Sequence, residues 1–174
     1  RFLAIAVYYK VNARTKNVSV VVRDSVFLRI SRTAIFVNVS TAGSATIDIL
    51  QSQFLDSTTD YGYLMVEIWC GSSLGTGPDA MNELKLGYKD IICANNKMPG
   101  GGCLRVRSDA SFAPIELERV DAYDNEASSL LTFSGHLPPV SGAIPYMVIL
   151  KCDQLNFTRN TGNVMNIERI MIWE

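Results

Sequence analysis

The stretch Tyr61–Cys70, which reads Tyr-Gly-Tyr-Leu-Met-Val-Glu-Ile-Trp-Cys, constrains the fold more than any other part of the chain. Alternate side chains of a strand share a face, so this stretch has one apolar face and one that is apolar except for Glu67. The first face holds Leu64, Val66, Ile68 and Cys70, and the second holds Tyr63, Met65, Glu67 and Trp69. Such a run between turn-forming residues predicts a strand near the middle of a sheet.

Similar short runs recur along the whole chain and are separated by turn-forming residues, which predicts roughly ten strands. The clearest alternation is that of Val26, Leu28 and Ile30 with Phe27, Arg29 and Ser31. Residues 80–86 are predicted as a short helix with Asp79 as its N-cap. Gly100–Gly102 is predicted as a flexible turn.

The spacing of the turns predicts an all-β fold with at most one or two short helices. We expect an antiparallel two-sheet sandwich, jelly-roll-like, that forms a single domain over residues 1–174. The sequence shows no internal repeat and no linker between domains.

Composition limits the classes of partner. The chain is 48% hydrophobic and 19% charged, and its formal net charge is −1. A net charge this small creates no global field that attracts nucleic acid or an anionic membrane. No apolar run reaches the roughly 18 residues of a membrane-spanning helix. The chain begins at Arg1 rather than Met, which is typical of a processed product or of part of something longer, and a signal, an arm or a basic tail that binds nucleic acid could precede it.

The four cysteines, Cys70, Cys93, Cys103 and Cys152, are widely spaced. We expect thiols rather than a disulfide framework, with Cys70 and Cys152 buried in apolar strands as small hydrophobic residues. Three glycosylation triplets begin at Asn17, Asn38 and Asn156 and would suit a secreted protein. Two of these triplets lie inside predicted strands.

No motif predicts catalysis or a cofactor. His136 is the only histidine, and no nucleophile elbow accompanies it, so we interpret it as a loop residue. Familiar zinc spacings need more histidines or paired cysteines. We therefore predict no enzymatic activity and no catalytic, cofactor-binding or metal-binding residues.

Two acidic features are candidate functional sites. The cluster Asp121, Asp124 and Glu126 lacks the regular ladder of a calcium loop and favours an ordinary turn. Glu67 lies in an apolar strand, where its pKa would shift unless it pairs with a cation from a neighbouring strand.

The glycine-rich run Gly71–Gly77 lacks the Gly-Lys-Ser/Thr of a phosphate-binding loop.

Basic residues are spread over several predicted strands: Arg14, Lys16, Arg29, Arg32, Arg105 and Arg107. On one face they would form a modest anion-binding patch. The alternative is that they are solvated charges which guard strand edges against mispairing.

In its pattern of strands the chain resembles the jelly-roll coat proteins of small viruses, although no signature residue matches. The resemblance implies a structural protein that assembles into a viral capsid and is located in the virion. Viral matrix and movement proteins share much of this profile.

The alternative function is carbohydrate binding by a secreted β-sandwich, a lectin or an accessory module. Exposed aromatic residues would stack on the sugar rings. The candidates are Tyr61, Tyr63, Trp69, Tyr88 and Trp173.

Apolar residues on both faces of the predicted strands favour self-association. A two-layer sandwich covers only one face of each sheet, so outer apolar faces need another cover. We therefore predict a homo-oligomer, because the sequence offers hardly any helix that would cover them.

Overall fold

The structure consists of strands and the turns that join them. A computed structural model describes residues 12–13, 17–41, 43–62, 64–71, 83–108, 110, 112–135, 147–168 and 171–172. Its strands are β1 (Asn12–Ala13), β2 (Val18–Arg23), β3 (Val26–Leu28), β4 (Ile35–Thr41), β5 (Ser44–Leu50), β6 (Gln53–Leu55), β7 (Val66–Gly71), β8 (Glu83–Ala94), β9 (Lys97–Met98), β10 (Leu104–Ser108), β11 (Phe112–Tyr123), β12 (Glu126–Gly135), β13 (Met147–Thr158), β14 (Thr161–Glu168) and β15 (Met171–Ile172). These residues include no helix, and so none that is long and apolar enough to cross a membrane.

The strands form two parallel sheets. Sheet A has the order β1-β4-β7-β10-β12-β14, and sheet B has the order β15-β13-β11-β8-β5-β2, with β6 also beside β8. The chain runs along sheet B, turns into sheet A, and returns to sheet B beside its own previous pass. We call one such pass a coil. Stacked coils of this kind form a parallel β-helix.

The predicted antiparallel jelly-roll sandwich is therefore wrong. Hairpins reverse the chain direction between neighbouring strands, whereas here the neighbours come from successive coils and run in the same direction. The helix predicted at 80–86 is also wrong for residues 83–86, which belong to β8, and residues 80–82 lie outside the described part. The expectation of two sheets around one core agrees with the structure.

Two columns of left-handed residues form two corners of every coil. The ten non-glycine residues with positive φ among the described residues have φ between 48° and 57°. One column contains Asp24, Gln51, Asp90, Arg119 and Gln154, and the other contains Arg29, Asp56, Asn95, Asp124 and Arg159. Aligned left-handed residues bend each coil at the same place, so the strands between them stay in register.

Each left-handed residue shifts the in–out alternation by one position. Tyr88 and Ile91 are both buried, although two residues lie between them. The same shift splits the pattern predicted around Val26. Phe27 is buried, whereas Val26 and Leu28 are exposed, and Ile30 is buried again after the left-handed Arg29.

A row of polar residues follows the second column inside the coils. This row, the asparagine corner, consists of Ser57, Asn96, Asn125 and Asn160, and all but Asn160 are fully buried. Each side-chain oxygen accepts the backbone N–H of the previous coil at 3.0 Å, beginning with Ile30 N–H to Ser57 Oγ. The three Nδ2 groups donate to backbone carbonyls at 2.7–2.9 Å. The row therefore joins successive coils through bonds between side chains and backbone.

The coils differ in length, so the structural repeat cannot be recognised in the sequence. Ser57 lies 27 residues after Ile30, whose N–H it accepts, and the following members of the row are 39, 29 and 35 residues apart. The extra residues lie in the connections, while paired strands keep their register except for one shift between β12 and β14. Because the structural repeats have no fixed length, they leave no internal repeat that is visible in the sequence.

The burial and bonding of the cysteines agree only partly with the prediction. Cys70 is a buried thiol, as predicted. Cys152 faces the interior beside Leu117 but is exposed, and the described residues of β15 pair with Met147 and Val148, which precede it on the strand. Cys93 and Cys103 form a disulfide, so the expectation of thiols alone is wrong. These two residues belong to one coil, whose turn brings them together in the interior.

Candidate functional site: the outer face of sheet A

On the outer face of sheet A, aromatic, charged and neutral polar side chains lie next to one another. The predicted central position of the Tyr61–Cys70 strand is confirmed, since β7 lies between β4 and β10, but its predicted start at Tyr61 is wrong, because β7 begins at Val66 and Tyr61 lies in a turn. Val66 and Ile68 point into the core, and Glu67 and Trp69 point out. The outward side chains of the five long strands form what we call the arginine–tryptophan face. It consists of Phe36, Asn38, Glu67, Trp69, Arg105, Arg107, Thr132, Ser134 and Asn166.

Trp69 is held in place but remains partly exposed. Its Nε1–H donates a hydrogen bond to Glu67 Oε1 at 3.0 Å. Phe36 meets the indole edge to face, with ring centroids 5.7 Å apart. The relative exposure of Trp69 is nevertheless 36%. Fixed aromatic rings of this kind offer an apolar surface at little entropic cost on binding.

The two arginines of β10 have different partners. Arg105 Nη1 lies 3.6 Å from Glu67 Oε1, so the interpretation that Glu67 pairs with a cation of a neighbouring strand is confirmed. Arg107 instead stacks on Trp69, with its guanidinium carbon 5.1 Å from the ring centroid. Among the described side chains no carboxylate lies within ion-pair distance of Arg107. Among those side chains, the neutral ring of Trp69 is therefore the group that faces this charge.

A cleft of about 340 Å³ opens beside the arginines. It is lined by Arg105, Arg107, Ser128, Ser129, Thr132, Ser134, Asn163 and Asn166. The described lining is rich in hydrogen-bonding groups and contains two positive charges and no negative one. Its volume lies in the range of small-ligand pockets.

The outer face of sheet B carries charges that satisfy one another. Lys89 donates to Glu116 and lies 3.5 Å from Glu118. The hydrogen bond to Glu116 raises the pKa of the Lys89 ammonium, and it lowers the pKa of the Glu116 carboxyl. Arg119 pairs with Asp90, and this hydrogen bond holds the pKa of the Asp90 carboxyl below its ordinary value. Lys89 and Arg119 on sheet B therefore each have a carboxylate partner, which Arg107 lacks among the described side chains.

The aromatic residues proposed to bind sugar are scattered. Trp69 lies on the arginine–tryptophan face, and Tyr61 is 84% exposed in the turn before β7. Tyr88 is fully buried in the core, so its predicted role in stacking on sugar is wrong. Tyr63 and Trp173 lie outside the described residues.

The acidic cluster forms ion pairs at a corner. Asp124 accepts two hydrogen bonds from Arg159 at 2.7 Å, and Glu126 lies 3.2 Å from Lys97. No group of three potential metal ligands occurs in the part of the chain that the structure describes. His136 and residues 72–77 of the glycine-rich run lie outside that part.

The basic residues do not gather as a single patch. Of the six, Arg105 and Arg107 share the arginine–tryptophan face, while Arg29 is at a corner. Arg32 is exposed in the connection before β4, and Arg14 and Lys16 are not among the described residues. The contact between Arg107 and Trp69 could not be read from the sequence, because it depends on the register of β7 with β10.

The comparisons with known proteins found no relative of this chain. No family model, curated protein or solved structure matches this chain. The function must therefore be argued from the site itself.

Proposed function

We propose that the protein binds a glycan chain along the arginine–tryptophan face. The observation that carries the proposal is Trp69, a ring that its neighbours hold rigid while its surface remains accessible. The apolar face of a sugar ring stacks on such a surface, and its hydroxyl groups bind the polar groups around it.

The polar side chains beyond Trp69 support a linear ligand. Thr132 and Ser134 project from β12 next to the arginines of β10, and their hydroxyls form no hydrogen bond within the described residues. Strands of one sheet lie about 4.8 Å apart, so side chains at equivalent positions recur at that spacing. A polymer of sugars laid across the strands meets one row of side chains after another.

This proposal keeps the carbohydrate-binding alternative but not its β-sandwich. The prediction of a viral shell protein rests on a jelly-roll outline, which the coils do not have, and it stays a prediction. The matrix or movement protein, the homo-oligomer, the nucleic-acid-binding arm and the absence of enzymatic activity also stay predictions.

The disulfide supports the secreted location named with that alternative. Cys93 and Cys103 are both buried, and their bond lies inside one coil. Disulfides persist mainly in oxidising compartments, where extracellular glycans are also found.

The test is a binding screen of the purified chain against immobilised oligosaccharides, followed by calorimetry with the best ligand. We expect Trp69→Ala to weaken binding by about tenfold or more, since stacking and pocket contacts of one aromatic residue are worth roughly 1.5 kcal/mol. Tyr61→Ala is the matched control, because Tyr61 is an exposed aromatic residue outside the face.

Both variants should unfold at the same temperature as the unmodified chain to within a few degrees. The absence of binding to every oligosaccharide, or an equal loss in Tyr61→Ala and Trp69→Ala, would contradict the proposal.

A further inference from the structure

The cleft beside Arg107 has an excess of positive charge that a neutral sugar would not use. Among the residues that define the arginine–tryptophan face, Glu67 is the one carboxylate, while Glu168 is in register with Ser134 at the end of β14 and its side chain lies outside the described part. Glu67 already accepts the Trp69 indole N–H and pairs with Arg105. The positive charge of Arg107 therefore has no counter-charge among the described side chains.

The way Arg107 is held leaves its hydrogen-bond donors available. A guanidinium that stacks on a ring uses its flat face, while its N–H groups point outward in the plane. These N–H groups form a fork that matches two oxygens of a carboxylate or a sulfate. Trp69 thus fixes the orientation of the fork without occupying it.

Neutral donors surround the place where an anion would bind. Arg107 is in register with Ser134, and Arg105 with Thr132, and all four residues line the cleft. The two hydroxyls have no partner within the described residues, so each is able to donate to an anionic oxygen. No described lining residue is acidic and would repel the anion.

We propose that this cleft selects an anionic sugar, through a carboxylate or sulfate that is bound by Arg107 with Ser134 and Thr132. The proposal rests on the proposed glycan-binding function and specifies its ligand as an acidic polysaccharide. Single-stranded nucleic acid is less well matched, because its binding needs a basic groove along the backbone and several stacking rings. This face offers two arginines and one exposed tryptophan.

Calorimetry with three matched oligosaccharides tests the proposal: a neutral one, its uronic acid counterpart and a sulfated counterpart. We expect the unmodified protein to bind at least one acidic ligand about tenfold tighter than the neutral one, as expected for a charge-assisted pair of hydrogen bonds. Preference for one of the two acidic ligands identifies the anionic group.

The matched variants are Arg107→Gln and Arg23→Gln, which remove the same charge from opposite sheets. Arg23 is 71% exposed on sheet B. We expect Arg107→Gln to abolish the preference for the acidic ligand, measured as the ratio of the acidic to the neutral affinity, while Arg23→Gln changes neither affinity. Arg107→Lys should restore only part of the preference, because an ammonium lacks the fork.

The outcomes separate the two proposals. Equal binding of neutral and acidic ligands, or the same loss of preference in Arg23→Gln, overturns the anionic cleft but leaves glycan binding in place. Tighter binding of a single-stranded oligonucleotide than of any acidic sugar also overturns it. If the unmodified protein binds no oligosaccharide, both proposals fail.

Discussion

Two rows of polar side chains cross the coils, and they differ in where their hydrogen bonds go. In the asparagine corner every side chain bonds to the backbone of an adjacent turn, and the row is largely buried. On the arginine–tryptophan face, Arg107 has no carboxylate partner, and Thr132 and Ser134 have no hydrogen-bond partner, among the described side chains. The comparison shows that polar groups stacked in register satisfy one another in the corner but not on this face, which is why we propose binding there.

The largest effect is expected from Asn125→Ala, which removes the centre of the corner. Asn125 accepts from the Asn96 backbone N–H and donates to the Cys93 carbonyl, so the alanine leaves the buried Asn96 N–H without its acceptor and removes a donor to Cys93. We expect a loss of about 4 kcal/mol in the free energy of unfolding, measured by urea denaturation.

The matched control is Asn163→Ala, which truncates an exposed asparagine at the cleft. Its free energy of unfolding should change by no more than about 0.5 kcal/mol. Equal losses in the two variants would show that the rows do not differ in the way proposed.

The second largest effect is expected from the disulfide, which lies against the corner. Asn96 Nδ2 donates to Cys93 Sγ at 3.5 Å, so the bond and the row support each other. The bond joins residues 10 apart, and its reduction should cost about 2–3 kcal/mol. Urea denaturation with and without reductant measures this loss. An unchanged midpoint after complete reduction, verified by mass spectrometry of the alkylated chain, would contradict a stabilising contribution of the bond.

Tyr88 sharpens the comparison because it is an interior polar group that does not follow the rule of the corner. Its hydroxyl is buried without a hydrogen-bond partner, and burial raises the pKa of this phenol. Tyr88→Phe should therefore leave the free energy of unfolding unchanged or increase it by up to about 1 kcal/mol. A loss larger than about 1 kcal/mol would reveal a partner for the hydroxyl.

The smallest effect is expected from the charges on sheet B. Hydrogen bonding to Lys89 lowers the pKa of Glu116 below its ordinary 4.5, so the native state binds protons less readily than the unfolded chain. This contribution is fully present above about pH 5 and is lost as the pH falls through the lowered pKa.

Glu116→Gln should accordingly flatten the fall in thermal midpoint between about pH 6 and about pH 3 by a small amount, because the pair is exposed to solvent. An identical pH profile in the variant and the unmodified protein would contradict the pairing.

The strands were easier to predict than their arrangement. Val66, Ile68 and Trp69 face the sides that their alternation indicates, because alternation depends only on neighbours in sequence. The direction of pairing depends on the corners, and the left-handed Gln51, Arg119 and Arg159 carry no sequence signal for positive φ.

The glycines at 100–102 also show that contacts between coils cannot be predicted from the sequence. Gly100–Gly102 was expected to be a flexible turn, but Gly102 is buried, and an added Cβ would lie 1.8 Å from the Ser129 carbonyl oxygen. This glycine is needed for the close approach of two coils. Such a contact appears only when the register of the coils is known.

The most direct test of the account is an NMR titration that follows side-chain signals on both sheets while an acidic oligosaccharide is added. We expect the Trp69 indole N–H and the Arg107 Nε–H to shift and saturate together, and the Arg119 Nε–H on sheet B to stay in place. Shifts confined to Arg119 and its neighbours, or no shift at Trp69 at a saturating ligand concentration, would contradict binding on the arginine–tryptophan face.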